Sequence, residues 1–127
     1  MRIEHERIQL AARRALGLPD KEFGPLWELA QGIVNAPGLR RFFDDRQYRR
    51  AENELELIGD SGLKRIDRVI EFDDEVWVLD YKSGGEDRAA WIVQLAIYRK
   101  LLKPLFANKN IRTAVVLANG GLEEFSE

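Results

Sequence analysis

The sequence predicts an α/β fold in which a mixed four-stranded sheet, built as a three-strand meander, a crossover helix and a fourth strand, is flanked by helices. Three observations predict it. Up to Phe43 the apolar residues recur at helical spacing; from Ala51 to Tyr81 the period falls to two; and after Gly85 a helical stretch is followed by a short, wholly apolar-centred run.

The first helix is expected over residues 3–16, where Ile3, Ile8, Leu10, Ala11, Ala15 and Leu16 form the apolar stripe and Gly17 and Pro19 end it. Asp20 is a suitable N-cap for a second helix to about Asn35, with Phe23, Leu26, Trp27, Leu29, Ala30, Ile33 and Val34 forming its apolar stripe. Pro37 and Gly38 break the chain, and Leu39–Phe43 predicts a short third helix. It leads into the one basic cluster: Arg40, Arg41, Arg46, Arg49 and Arg50. Leu55 and Leu57 alternate with Glu54 and Glu56, then Gly59, Asp60, Ser61 and Gly62 mark a hairpin turn. The return strand is expected over 63–72. Asp73 and Asp74 turn the chain into a third strand, Val76–Tyr81, rich in β-branched and aromatic residues. A helix follows from about Asp87 to Leu102, its apolar residues Ala90, Ile92, Val93, Ala96, Ile97, Leu101 and Leu102, and Pro104 ends it. Ile111–Leu117 (IRTAVVL) then reads as a buried fourth strand, which a crossover helix lays parallel to an earlier one.

At 127 residues, 45% of them hydrophobic, the chain is expected to form a single domain over 1–127. It has no cysteine, which excludes disulfides, zinc–thiolate sites and thiol nucleophiles and suits a reducing, cytoplasmic setting. The charged start MRIEHERIQ and the lack of any apolar run of about 18 residues or more argue against a signal peptide and a membrane span. Twenty Lys and Arg stand against 22 Asp and Glu, a net charge of -2. That sign disfavours a module gripping nucleic acid by bulk electrostatics. It weighs less against a DNA-cutting domain, whose metal-binding carboxylates must be acidic and whose phosphate grip neighbouring domains can supply.

The chemistry-bearing residues sit on the second and third strands, in KRIDRVI and VWVLDYKSGG. Residues two apart on a strand share a face, so Asp80 and Lys82 project together and Tyr81 projects oppositely. Asp80 leaves an apolar strand, where an ionised carboxylate is costly unless paired or holding a metal; a structural Asp80–Lys82 ion pair is the alternative. Asp67 interrupts the apolar stretch Ile66–Ile70 on the adjoining strand, and a short turn between the strands lets it face Asp80. Two hard oxygen ligands suit Mg²⁺ or Mn²⁺, and a lysine beside them suits the orientation of water or the stabilisation of transition-state charge.

The hairpin glycine, RIDRV, VLDYKSGG and the later QLAIY together resemble the nuclease domain that ends RecB- and AddA-like helicase–nucleases (the exonuclease V beta-subunit family), a PD-(D/E)XK family, over His5 to Leu117. The resemblance implies a restriction-endonuclease-like core and Mg²⁺- or Mn²⁺-dependent hydrolysis of DNA, as the exonuclease part of a helicase–nuclease in recombination and repair. It implies that Asp67 and Asp80 bind the metal with the Tyr81 carbonyl, and that Lys82 is catalytic. RIEHERIQ is similar to the family's histidine-bearing helix, which makes His5 a further metal residue; read alone, His5 is an exposed polar side chain. The glycine expected before it in the pattern G-x-x-x-H-x-x-L-x is missing, because the sequence begins there, so a longer parent chain with a helicase partner is expected.

The family's first strand carries a glutamate, for which Glu52 is preferred over Glu54 and Glu56, at least some of which form a solvated strand face. Gln94 and Tyr98 match a Q-x-x-x-Y motif near the DNA backbone, so Gln94 joins the catalytic set and both join Ser83 as nucleic-acid contacts. Their structural alternative is a core tyrosine and a partly buried amide. Arg65 and Arg68 are read as charge partners of surrounding carboxylates. The competing function is an inert nuclease-like module that guides DNA or supports assembly; it would be expected to lack at least one of Asp67, Asp80 and Lys82. Relatives holding an iron–sulfur cluster through cysteines are disfavoured, since there are none.

Overall fold

The computed structural model describes residues 36–60, 62–82, 87–118 and 120–125. The helices expected over 3–16 and 20–35, with His5, and also Ser83, lie outside the described residues. The described part is a 3-10 turn Arg40–Phe42, strands β1 (Arg50–Gly59), β2 (Gly62–Glu71) and β3 (Glu75–Lys82), helix α1 (Arg88–Leu102), and strands β4 (Asn110–Leu117) and β5 (Leu122–Phe125). They form one sheet in the order β1-β2-β3-β4-β5.

β1, β2 and β3 pair antiparallel as the expected meander, and α1 crosses over so that β4 runs parallel to β3, from Glu75–Asn110 to Lys82–Leu117. The four-stranded expectation is corrected to five: β5 adds antiparallel to β4, pairing Thr113 with Phe125 and Val116 with Leu122. LEEF is short and carries two glutamates, which are neutralised, Glu124 by a two-pronged bond from Arg112, with both N–O distances 2.7 Å, and Glu123 by Arg88.

The expected third helix, Leu39–Phe43, is also corrected, to the single 3-10 turn. Leu39, Phe42 and Phe43 are all buried, so one turn already delivers its apolar side chains to the core. The chain then leaves the helix because the Asp44 carboxylate accepts from the Arg46 amide at 3.1 Å and from the Arg46 guanidinium at 3.0 Å, a local turn that competes with helical bonding.

Two apolar layers cover the sheet. On one side Leu39, Phe42 and Phe43 pack with Ile70, Phe72, Trp77, Leu79 and Tyr81; on the other α1 packs Trp91, Leu95, Tyr98 and Leu102 on Val69, Val76, Val78 and Val115. β3 thus alternates as period two requires, with Val76 and Val78 turned to α1 and Trp77, Leu79 and Tyr81 turned away. α1 starts where expected, the Asp87 carboxylate capping the Ala89 amide at 2.9 Å. Its rotation differs from the sequence reading. Ile92 and Val93 are exposed, and the larger residues at 91, 95, 98 and 102 take the core. A helix apolar on most sides leaves that choice to packing volume.

β1 and β2 change face part-way along. Ala51 packs in the layer of Leu39 and Phe43, whereas Leu55 and Leu57, an even number of residues further on, pack in the layer of α1. The change falls at Glu54, whose φ of 53° is in the left-handed region. On β2 it falls between Arg68 and Ile66, rungs that pair with Asn53 and Leu55. Asp67 lies between them.

Candidate active site

Asp67, Asp80 and Lys82 converge where β2 and β3 part. The ladder between these strands runs from Glu71–Val76 to Arg68–Leu79 and ends there. One rung further, the same register sets Asp67 opposite Asp80, and the Tyr81 amide donates to Asp67 Oδ2 at 2.9 Å in place of a ladder bond. The site therefore lies at the carboxyl end of β3, next to its parallel partner β4, a position that suits ligands in α/β sheets.

Two carboxylates on one rung repel unless they share a proton or a cation. Asp67 hydrogen-bonds to Asp80, and its carboxyl is held well above the usual carboxylate range. Burial is the main cause, the charge and hydrogen bond of Asp80 add to it, and the Tyr81 amide and Lys82 oppose it. Asp80 is only 3% exposed. Its Oδ2 lies 2.9 Å from Lys82 Nζ, but out of line for a hydrogen bond, and this oxygen has no hydrogen-bond partner. Lys82 and Asp80 thus share a face, as their spacing on the strand requires, and Tyr81 turns into the opposite core layer.

A cleft of about 420 Å³ opens over these groups, with Gln94 and Tyr98 as its helical wall. Gln94 Nε2 donates to the Tyr98 hydroxyl at 2.8 Å, and that hydroxyl donates to the Arg65 carbonyl at 3.1 Å. The Tyr98 phenol is pushed up to about 12, first by burial and then by the charges of Asp80 and Asp67, so it stays protonated as a donor. Tyr98 is at once a core residue and a wall of the cleft.

The glutamates divide differently from the expected preference. Glu52 lines a separate depression with Val69, Leu105 and Phe106, and Glu56 lines the Asp67–Asp80 cleft, beside Leu63 and Arg65. Glu54 falls at the break in the β1–β2 ladder, between the rungs Asn53–Arg68 and Leu55–Ile66. Glu56 is among the three glutamates that the sequence offers, behind Glu52 in preference, whereas Leu63 and Arg65 were not singled out as site residues by sequence reasoning. Strict alternation puts all three glutamates on one face, and no sequence signal marks the left-handed residue that breaks it. Arg68, expected as a carboxylate partner, points away from the cleft. It is fully buried, donates to the Phe42 carbonyl at 2.8 and 3.1 Å and to Asn53 Oδ1 at 2.8 Å, and stacks over Phe43.

A family model described as the PD-(D/E)XK nuclease superfamily matches residues 5–123. The chain belongs to this superfamily. Its mixed five-stranded sheet with a crossover helix is consistent with the restriction-endonuclease-like α/β fold. No curated protein matches the chain. PD-(D/E)XK nucleases generally use divalent metals, and the residues present fit one. Among the described residues no cluster of three or more His, Cys, Asp or Glu is placed to hold an ion. Two carboxylates suffice for Mg²⁺, which keeps several waters and usually binds through one or two carboxylates plus substrate phosphate. The unbonded Asp80 Oδ2 and the proton-sharing Asp67 are the oxygens such a cation would compensate.

Proposed function

We propose that this PD-(D/E)XK domain is a Mg²⁺- or Mn²⁺-dependent deoxyribonuclease that hydrolyses DNA phosphodiester bonds. In this reading it is the exonuclease part of a RecB- or AddA-like helicase–nuclease, acting in the cytoplasm in recombination and repair. The observation that carries the chemistry is the Asp67–Asp80 rung with Lys82 beside it. The finer placement within the superfamily rests on the resemblance of RIDRV, VLDYKSGG and QLAIY.

Asp67 and Asp80 would hold the metal, with the Tyr81 carbonyl and His5 as further ligands. Bound there, the ion would supply charge neutralisation at the phosphate and a more acidic attacking water. Lys82 brings a positive charge to the same face, 2.9 Å from Asp80, where it orients the attacking water and balances charge gathering on the phosphoryl oxygens. Gln94, held by Tyr98, keeps an amide at the cleft wall within reach of a DNA phosphate, and Ser83 is a second such contact. Among the described residues no helix is long and apolar enough to cross a membrane.

The test is degradation of linear DNA in Mg²⁺ or Mn²⁺ by the wild type, Asp80→Ala and Lys82→Ala. Loss of about 10²-fold or more in rate is expected for each variant, the scale of removing a charge-stabilising group. Metal binding measured by calorimetry is expected to survive Lys82→Ala and to vanish in Asp80→Ala. Equal degradation by all three proteins would overturn the assignment.

A further inference from the structure

Arg65 stands in the same cleft as Asp67, Asp80 and Lys82, exposed on β2. Expected as a charge partner of surrounding carboxylates, its guanidinium forms neither an ion pair nor a hydrogen bond among the described residues. Even Glu56, directly opposite on β1, is not paired with it. Other arginines of the sheet and helix are engaged: Arg112 with Glu124, Arg88 with Glu123, and Arg68 with the Phe42 carbonyl.

The backbone of Arg65 is held from the helix. The Tyr98 hydroxyl accepts from Gln94 Nε2 at 2.8 Å and donates to the Arg65 carbonyl at 3.1 Å, so α1 fixes where β2 presents this residue. The Tyr98 phenol is raised by burial and by Asp80 and Asp67, and the charge of Arg65 opposes them, which places that charge on the cleft side of the strand. Charge balance gives the guanidinium its task. Glu56, Asp67 and Asp80 make the cleft acidic, and Lys82 already lies 2.9 Å from Asp80. A divalent ion would offset Asp67 and Asp80, which leaves Arg65 to face an anionic substrate. Its planar fork of donors matches pairs of phosphate oxygens.

Position along the strand selects the phosphate. Arg65 is two residues from Asp67 on the hairpin side, which is about 6.6 Å along a β-strand. The metal rung and Lys82 meet the scissile phosphate, so a guanidinium set back by that distance meets the next one along the chain. We propose that Arg65 grips the phosphate adjacent to the scissile one, and that Tyr98, braced by Gln94, is its positioning residue. This rests on the nuclease reading above and adds how the substrate is held in register for cutting.

The test compares two substrates of the full chain in Mn²⁺: a short thymidine oligonucleotide, and bis-p-nitrophenyl phosphate, a diester with no neighbouring phosphate. Arg65→Ala is expected to raise KM for the oligonucleotide about ten-fold with little change in kcat, the scale of one charged hydrogen-bonded contact. It is also expected to flatten the slope of log KM against log salt by about 0.7, one single-strand phosphate. The loss in kcat/KM is expected to be about ten-fold greater on the oligonucleotide than on the small diester, whereas Lys82→Ala loses rate on both. Arg65→Lys, which keeps the charge but not the fork, is expected to recover part of the KM, and Lys103→Ala, exposed and outside the cleft, controls for net charge. Tyr98→Phe is expected to reduce the oligonucleotide preference about three-fold in the wild type and not at all in Arg65→Ala, the signature of a residue acting through another. An equal loss on both substrates in Arg65→Ala, or a loss no larger than that of Lys103→Ala, would overturn the adjacent-phosphate grip and leave the nuclease reading standing. A Tyr98→Phe effect of the same size in both backgrounds would overturn its positioning role. If the wild type cuts neither substrate, the nuclease reading falls and takes the grip with it.

Discussion

Asp67 is the residue on which folding and chemistry pull apart. Its carboxyl is pushed from an ordinary value of 3.8 up to about 8 by burial and by Asp80, so the metal-free folded chain holds a proton there that the unfolded chain releases. The folded state binds more protons than the unfolded state between those values, and stability falls as pH rises through that window. Without divalent ions, the thermal midpoint of the wild type is therefore expected to drop between about pH 4 and pH 8. Asp67→Asn, which keeps the shape and removes the titration, is expected to flatten that decline while abolishing metal binding. A pH series of melting curves with and without Mg²⁺ checks both, and the Mg²⁺-induced rise should be larger at the alkaline end, where less proton has to be displaced. An equally steep decline in Asp67→Asn would locate the proton elsewhere. The Asp80–Lys82 half of this site was legible from the sequence because period two on a buried strand leaves no freedom. The Asp67–Asp80 half needed only a short turn at Asp73–Asp74 to bring the strands face to face.

At the scale of elements, legibility ends where the backbone departs from regular periods. Glu54, at φ 53°, turns β1 over, so Glu56 reaches the cleft and Glu52 faces another depression. Nothing about a glutamate between Asn53 and Leu55 announces a left-handed residue. The consequence is measurable by comparing two truncations that remove the same side chain. Glu54→Gly is expected to be more stable than Glu54→Ala by about 1 kcal/mol in urea denaturation, since only glycine takes a positive φ without strain. At a regular strand position the order is reversed, so a more stable alanine variant would place the face change elsewhere. The rotation of α1 was hidden for a different reason. Its sequence offers apolar residues on most sides, and the choice of Trp91, Leu95, Tyr98 and Leu102 for the core depends on the space above β3 and β4. β5 escaped notice because its two glutamates are paired by Arg88 and Arg112, arginines distant in sequence.

Across the whole molecule the sheet separates two tasks: the α1 side carries the cleft, and the opposite side ties the chain together. Arg68 is the centre of that second layer, joining β2 to the 3-10 turn through the Phe42 carbonyl and to β1 through Asn53. Its guanidinium is fully buried, so truncation removes packing and leaves buried acceptors unpaired together. Arg68→Ala is expected to cost about 3–5 kcal/mol by denaturant unfolding, the range for breaking a buried charged network. Its direction on metal binding follows from the geometry. Arg68 and Asp67 are neighbours in sequence on opposite faces of β2, and the Asp67 carboxylate is fixed by the Tyr81 amide, not by Arg68. Calorimetric Mg²⁺ affinity of the molecules that remain folded is therefore expected to stay within a few-fold of wild type. A collapse of metal affinity at temperatures where the variant is still folded would mean that the layer beneath the sheet also sets the rung on which Asp67 and Asp80 meet.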